Sequence, residues 1–121
     1  VILIVEDEDS LRRVAARTLE REGFTVLTAP DGEAGWAQWG EHGNTIALIL
    51  TDAVMPRLGG PDLIRRLRGS GSKVPVIMMS GYSEKSFEDP LMQDVPVIAK
   101  PWSGAILARR IRDTLDLGVD G

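Results

Sequence analysis

The 121-residue chain contains no cysteine, which excludes disulfides, thiolate metal sites and a cysteine nucleophile. The absence is compatible with a reducing compartment, and a cytoplasmic location is the expectation. There is no surplus of basic charge: 14 Lys and Arg stand against 18 Asp and Glu, a formal net charge of −4. Nothing resembles a basic nucleic-acid surface. The arginines fall in small groups, Arg12/Arg13, Arg65/Arg66/Arg68 and Arg109/Arg110, each on a helical pattern, and read as solvated helix faces. No apolar run approaches the ~20 residues that span a bilayer, and no signal peptide is visible. Contact with nucleic acid or membrane is therefore not expected. The single histidine, His42, lies in a polar stretch with no second ligand or base to work with. Internal repeats and low-complexity linkers are absent too.

With 43% hydrophobic and 26% charged residues, the composition is that of a folded globular chain. The length suits one domain over residues 1–121, large enough for a core without staples. The chain opens directly on a strand-forming run, which suggests a segment cut from something longer or a few residues missing in front, and no output domain is expected in the few residues after its last helical pattern. Short apolar, β-branched runs at Val1–Val5, Thr25–Thr28, Ile46–Leu50, Val74–Met79 and Val95–Ala99 read as buried parallel strands.

Helical patterns alternate with them. Leu11, Val14, Ala15, Thr18 and Leu19 share one face, with Ser10 as the expected N-cap and Gly23 as the stop. Trp36, Trp39 and Gly40 form a second face and read as packing. Pro61 suits the first turn of a third helix with Leu63, Ile64 and Leu67 inward. Ala105, Leu107, Ala108, Ile111 and Leu115 mark the last helix, capped by Ser103. Residues 83–91 carry a short helical pattern that Pro90 cuts off. Five βα units with right-handed crossovers predict an α/β fold: a doubly wound, five-stranded parallel sheet in the order 2-1-3-4-5, flavodoxin-like, with helices on both faces.

Open sheets of this kind bind ligands at the carboxyl ends of their strands. Here those ends carry Glu6-Asp7-Glu8-Asp9, Thr51-Asp52, Ser80-Gly81 and Lys100-Pro101. Crowded carboxylates repel one another, and a hard divalent cation such as Mg²⁺ resolves the repulsion. A carboxylate beside such a cation can attack phosphorus and form an aspartyl phosphate. A lysine and a hydroxyl would then stabilise the charge on the phosphoryl oxygens. Each piece has a simpler reading alone: a helix cap for Glu6–Asp9, a turn for Asp52 or Ser80-Gly81. Their coincidence at four strand ends does not.

At this point the sequence resembles the receiver domains of two-component response regulators. The resemblance rests on Ile4-Val5-Glu6-Asp7-Glu8, Leu50-Thr51-Asp52-Ala53-Val54-Met55-Pro56 with Gly59-Gly60, Val76-Ile77-Met78-Met79-Ser80-Gly81, and Ile98-Ala99-Lys100-Pro101-Trp102. It implies that Asp52 is the phosphoacceptor and that Ser80 and Lys100 contact the phosphoryl group. It implies a Mg²⁺ (or Mn²⁺) site made by Asp7, by Glu6 through a metal-bound water, by Asp52 and by the backbone carbonyl of Val54. The implied donor is a histidine kinase or a histidine phosphotransfer protein, docking near Leu11, Val14 and Tyr82, although Leu11 and Val14 also suit the core. The wording around Asp52, Ser80 and Lys100 is similar to receivers at the C-termini of hybrid sensor histidine kinases. Such a domain is not a turnover enzyme, but it catalyses its own phosphorylation and dephosphorylation.

Three departures stand out, the first being that the family's main signalling helix, the fourth, is here the short pattern that Pro90 cuts off. The family's switch aromatic, three residues before the lysine, is Val97 here. The two positions that tune phosphoryl lifetime are Val54 and Tyr82, and an apolar Val54 predicts slow self-hydrolysis. The alternatives are an aspartyl-nucleophile phosphatase, a flavin-binding module, and a phosphorylation-independent interaction module on the same fold. A second Asp two residues after Asp52 would favour the first, and Val54 stands there instead. The acidic Glu6–Asp9 loop would repel a flavin phosphate, and the third would have lost one of the acidic, acceptor or lysine positions that are all present.

Overall fold

A computed structural model describes residues 1–55, 57–80, 95–99 and 102–120. Their elements run β1 (Ile2–Val5), α1 (Asp9–Arg21), β2 (Val26–Ala29), α2 (Gly32–His42), β3 (Leu48–Asp52), α3 (Gly60–Gly69), β4 (Val76–Ser80), β5 (Val97–Ala99) and α4 (Gly104–Asp120). All strand pairs are parallel, and the order is β2-β1-β3-β4-β5, the topology the sequence predicts. The helical pattern at 83–91 lies outside the described residues.

The four residues of β1 are all buried, because alternate side chains feed two separate cores. Leu3 and Val5 join Ile49 and Met78 under α2 and α3, where Leu63, Ile64 and Leu67 are fully buried. Ile2 and Ile4 join Leu48, Leu50, Ile77, Met79 and Ile98 under α1 and α4, where Ala15, Leu19, Leu107 and Ile111 close the layer. Trp36 and Trp39 pack half-buried against the first core, as expected of packing residues. At the far edge β2 is only half covered and exposes Thr28, so it is not the doubly buried strand expected.

Helix ends follow local chemistry. Gly23 takes φ 96°, and the amides of Gly23 and Phe24 donate to the carbonyls of Glu20 and Leu19, a Schellman stop for α1. Ser103 caps α4, its hydroxyl accepting from the Ile106 amide at 3.2 Å. Ser10 does not cap α1: the helix begins at Asp9 with Glu8 in the cap position, and no side chain caps it. Val14 and Ala105 are exposed rather than inward, because the buried stripe of each helix is narrower than its apolar pattern.

Candidate functional site

The carboxyl edge of the sheet is set by register. Val5 pairs with Thr51, Thr51 with Met78, and Met79 with both Asp52 and Ile98. Glu6, the first residue past β1, thus arrives beside Asp52, the last residue of β3. Glu6 is held there by its amide, which donates to the Ala29 carbonyl at 3.0 Å. Ser80 ends β4, with Ala99 as its register partner, one residue before Lys100. Pro56, Tyr82, Pro90, Lys100 and Pro101 lie outside the described residues.

Glu6, Asp7 and Asp52 each offer a carboxylate oxygen, and these atoms lie within 4.8 Å of one another. Glu6 is 1% exposed and Asp52 7%, while Asp7 is open to solvent. Like charges this close, in surroundings that screen poorly, raise the energy of the site, and a bound cation offsets that cost. An all-oxygen, anionic donor set with one open side fits a hard divalent ion rather than a soft or tetrahedral one. The acidic cluster expected from the sequence is therefore assembled.

Asp52 is fixed from its own backbone. One carboxylate oxygen accepts from the Ala53 amide at 2.9 Å, and the Thr51 hydroxyl donates to the Asp52 carbonyl at 3.0 Å. Beyond it the chain passes Val54, which is 67% exposed, and reaches Arg57 at φ 71°. That backbone region is uncommon for a residue with a Cβ. Arg57 lies 3.7 Å from a carboxylate oxygen of Asp31. The other oxygen of Asp31 accepts from the Ala34 amide at 2.8 Å and caps α2. The loop after Asp52 is thereby tied to the turn before α2. Sequence reasoning missed this pair, although Asp31 directly before a helix start carried the cap signature. It also missed Arg12, which reaches back from α1 to the Glu6 carbonyl. The His42 ring lies 3.5 Å from the Glu41 carboxylate, and the His42 carbonyl accepts from the Thr45 amide and hydroxyl.

Residues 2–112 match the profile of the response regulator receiver domain. The chain belongs to this family. It is thus a phosphoacceptor signalling domain of two-component systems, and membership favours none of the three alternatives. The receiver is similar to sensor kinase CckA of Brucella abortus, 34% identical over 95% of this chain and 12% of the kinase. It is likewise similar to transcriptional regulatory protein CseB of Streptomyces coelicolor, 38% identical over 94% of this chain and 48% of that protein. It therefore spans less than half the length of either relative. Among solved structures, the receiver domain of hybrid histidine kinase CckA matches with TM-score 0.80 and 38% identity over 94% of this chain and 97% of that one. A receiver domain from Clostridium thermocellum matches with TM-score 0.87 and 26% identity over 97% and 94%. No helix among the described residues is long and apolar enough to cross a membrane.

Proposed function

We propose that residues 1–121 act as one receiver unit in which Asp52 accepts a phosphoryl group from the phosphohistidine of a histidine kinase or a histidine phosphotransfer protein. The observation that carries this reading is the meeting of Asp52 with Glu6 and Asp7 within 4.8 Å at the carboxyl edge of the sheet. A carboxylate oxygen of Asp52 attacks phosphorus. With the other ring nitrogen of the phosphohistidine protonated, a P–O bond forms as the P–N bond breaks, the electron pair stays on the nitrogen that loses phosphorus, and the ring departs as neutral imidazole. A divalent cation held by Asp7, Asp52, the Val54 carbonyl and, through water, Glu6 would neutralise charge on the phosphoryl oxygens. By resemblance, the Ser80 hydroxyl and the Lys100 ammonium donate to the same oxygens, and their inward pull biases the surface around β5 and the last helix.

Intact mass after incubation with a small-molecule phosphodonor tests the chemistry. One phosphoryl group is expected with Mg²⁺ or Mn²⁺ and none in chelator. No addition in any condition would move the function to the phosphorylation-independent module. Phosphotransfer from a phosphorylated histidine kinase core tests the donor class.

Val54 sets a second expectation. Its exposed apolar side chain offers nothing to orient an attacking water, so the phosphoryl group should persist for minutes or longer. Val54→Asn should shorten that lifetime several-fold in an acid-quenched time course. A wild-type lifetime of seconds would sink the idea. The similarity to CckA, named a sensor kinase and a hybrid histidine kinase, supports a hybrid-kinase setting for the full protein.

A further inference from the structure

The turn from β1 into α1 carries two of the three clustered carboxylates, yet it lacks the usual means of holding such a turn. Glu8 occupies the N-cap position of α1 with an extended backbone, and its side chain makes no capping hydrogen bond. The contrast is α2, where Asp31 caps directly. The turn is instead spanned from inside the helix. Arg12, one turn into α1 with a side chain only 19% exposed, donates through Nη1 to the Glu6 carbonyl at 2.9 Å. Its Nη2 donates to the Asp9 carboxylate.

The Glu6 carbonyl belongs to the peptide that joins Glu6 to Asp7. Its orientation therefore sets the relative directions in which the two side chains leave the backbone. The Glu6 amide is already tied to Ala29 at 3.0 Å. With Arg12 on the carbonyl, the Glu6 backbone is anchored at both ends, which narrows the positions from which its carboxylate and that of Asp7 can reach a cation. Guanidinium suits this task, since its rigid fork can serve a carbonyl and a carboxylate together.

We propose that Arg12 is the positioning residue of the metal site: it orients the Glu6–Asp7 peptide and so preorganises the two carboxylates for a divalent cation. The proposal rests on the Mg²⁺ reading above. It makes a prediction whose sign opposes plain electrostatics. As a nearby positive charge, Arg12 weakens cation binding, so removing it would tighten Mg²⁺ if charge were its only effect. As a positioning residue, its removal weakens Mg²⁺, by about 10-fold, as loss of a group that orients metal ligands commonly does.

The test is Mg²⁺ affinity by calorimetry for wild type, Arg12→Met and Arg13→Met, with thermal melts in chelator alongside. Arg13 is an exposed neighbour on the same helix and serves as the charge control. Expected are about 10-fold weaker Mg²⁺ binding for Arg12→Met and unchanged or slightly tighter binding for Arg13→Met. Arg12→Lys keeps the charge but cannot span both acceptors, and should recover only part of the loss. Should Arg12→Met not fold, Arg12→Lys alone still separates positioning from charge. Equal or tighter Mg²⁺ binding by Arg12→Met or Arg12→Lys would overturn the assignment while leaving the metal site standing. A wild-type protein that binds no Mg²⁺ would overturn both.

Discussion

Replacing Asp52 with asparagine should abolish phosphoryl uptake while leaving the fold in place. The amide keeps the shape of the carboxylate and an oxygen able to accept from the Ala53 amide, the bond that aims Asp52 at 2.9 Å. Asp52 is buried as the last residue of β3, between β1 and β4, where a change of volume would be felt and a change of one atom's identity need not be. What is lost is the anionic nucleophile. One of three charges gathered within 4.8 Å is removed as well, which relieves repulsion in the absence of cation. The variant should therefore show no phosphoryl group by intact mass under conditions that convert wild type. In chelator it should melt no lower than wild type. Undiminished uptake would move the nucleophile to another carboxylate. A large fall in melting temperature would make Asp52 a structural residue first.

The same residue illustrates how the sequence was and was not readable. Apolar runs gave the strands, because parallel strands buried on two faces are apolar, as β1 is, and right-handed crossovers gave their order. They did not give the strand ends. The apolar run before Asp52 stops at Leu50, but pairing of Thr51 with Met78 and Asp52 with Met79 carries β3 two residues further. Asp52 is thus held by a sheet, not by a turn. Ser80 is drawn into β4 in the same way. Helical periodicity placed Val14 on an inward face, yet the buried stripe of α1 runs through Ala15 and Leu19, and Val14 at its flank is 51% exposed. That leaves Val14 available for the docking role rather than the core. The carboxylate cluster was legible because its members follow the apolar runs that mark β1 and β3. Arg12 was not, because a side chain that bonds a backbone carbonyl six residues back leaves no spacing signature. The Arg57–Asp31 pair was not legible either, because its two side chains are 26 positions apart and only the fold brings them together.

Gly32→Ala should be among the most damaging small substitutions in the chain. A Cβ at this position would lie 2.1 Å from the Leu58 carbonyl oxygen and 2.6 Å from its Cβ. Both atoms are close to the main chain, so no side-chain rotation relieves the clash. Leu58 is itself buried in the core beneath α2 and α3, so the loop cannot simply lift away. The expected cost is about 3 kcal/mol, the upper range for overpacking, and a melting temperature lower by about 10 °C. Gly40, eight residues along the same helix, is the contrast: a Cβ there meets nothing within 4 Å. Gly40→Ala should be neutral or raise stability by up to about 1 kcal/mol, since a helix interior favours alanine over glycine. Urea denaturation of the two variants separates close approach from helix propensity. A Gly32→Ala protein within about 2 °C of wild type would mean that Leu58 yields to the added methyl at little cost. The damage should also reach the site. Leu58 follows Arg57 in the loop that leaves Asp52 and carries the Val54 carbonyl, so whatever moves Leu58 disturbs the Arg57–Asp31 tie. Gly32→Ala should accordingly weaken Mg²⁺ binding where Gly40→Ala does not. The tightest glycine contact among the described residues and the loop that follows Asp52 are then one mechanical unit.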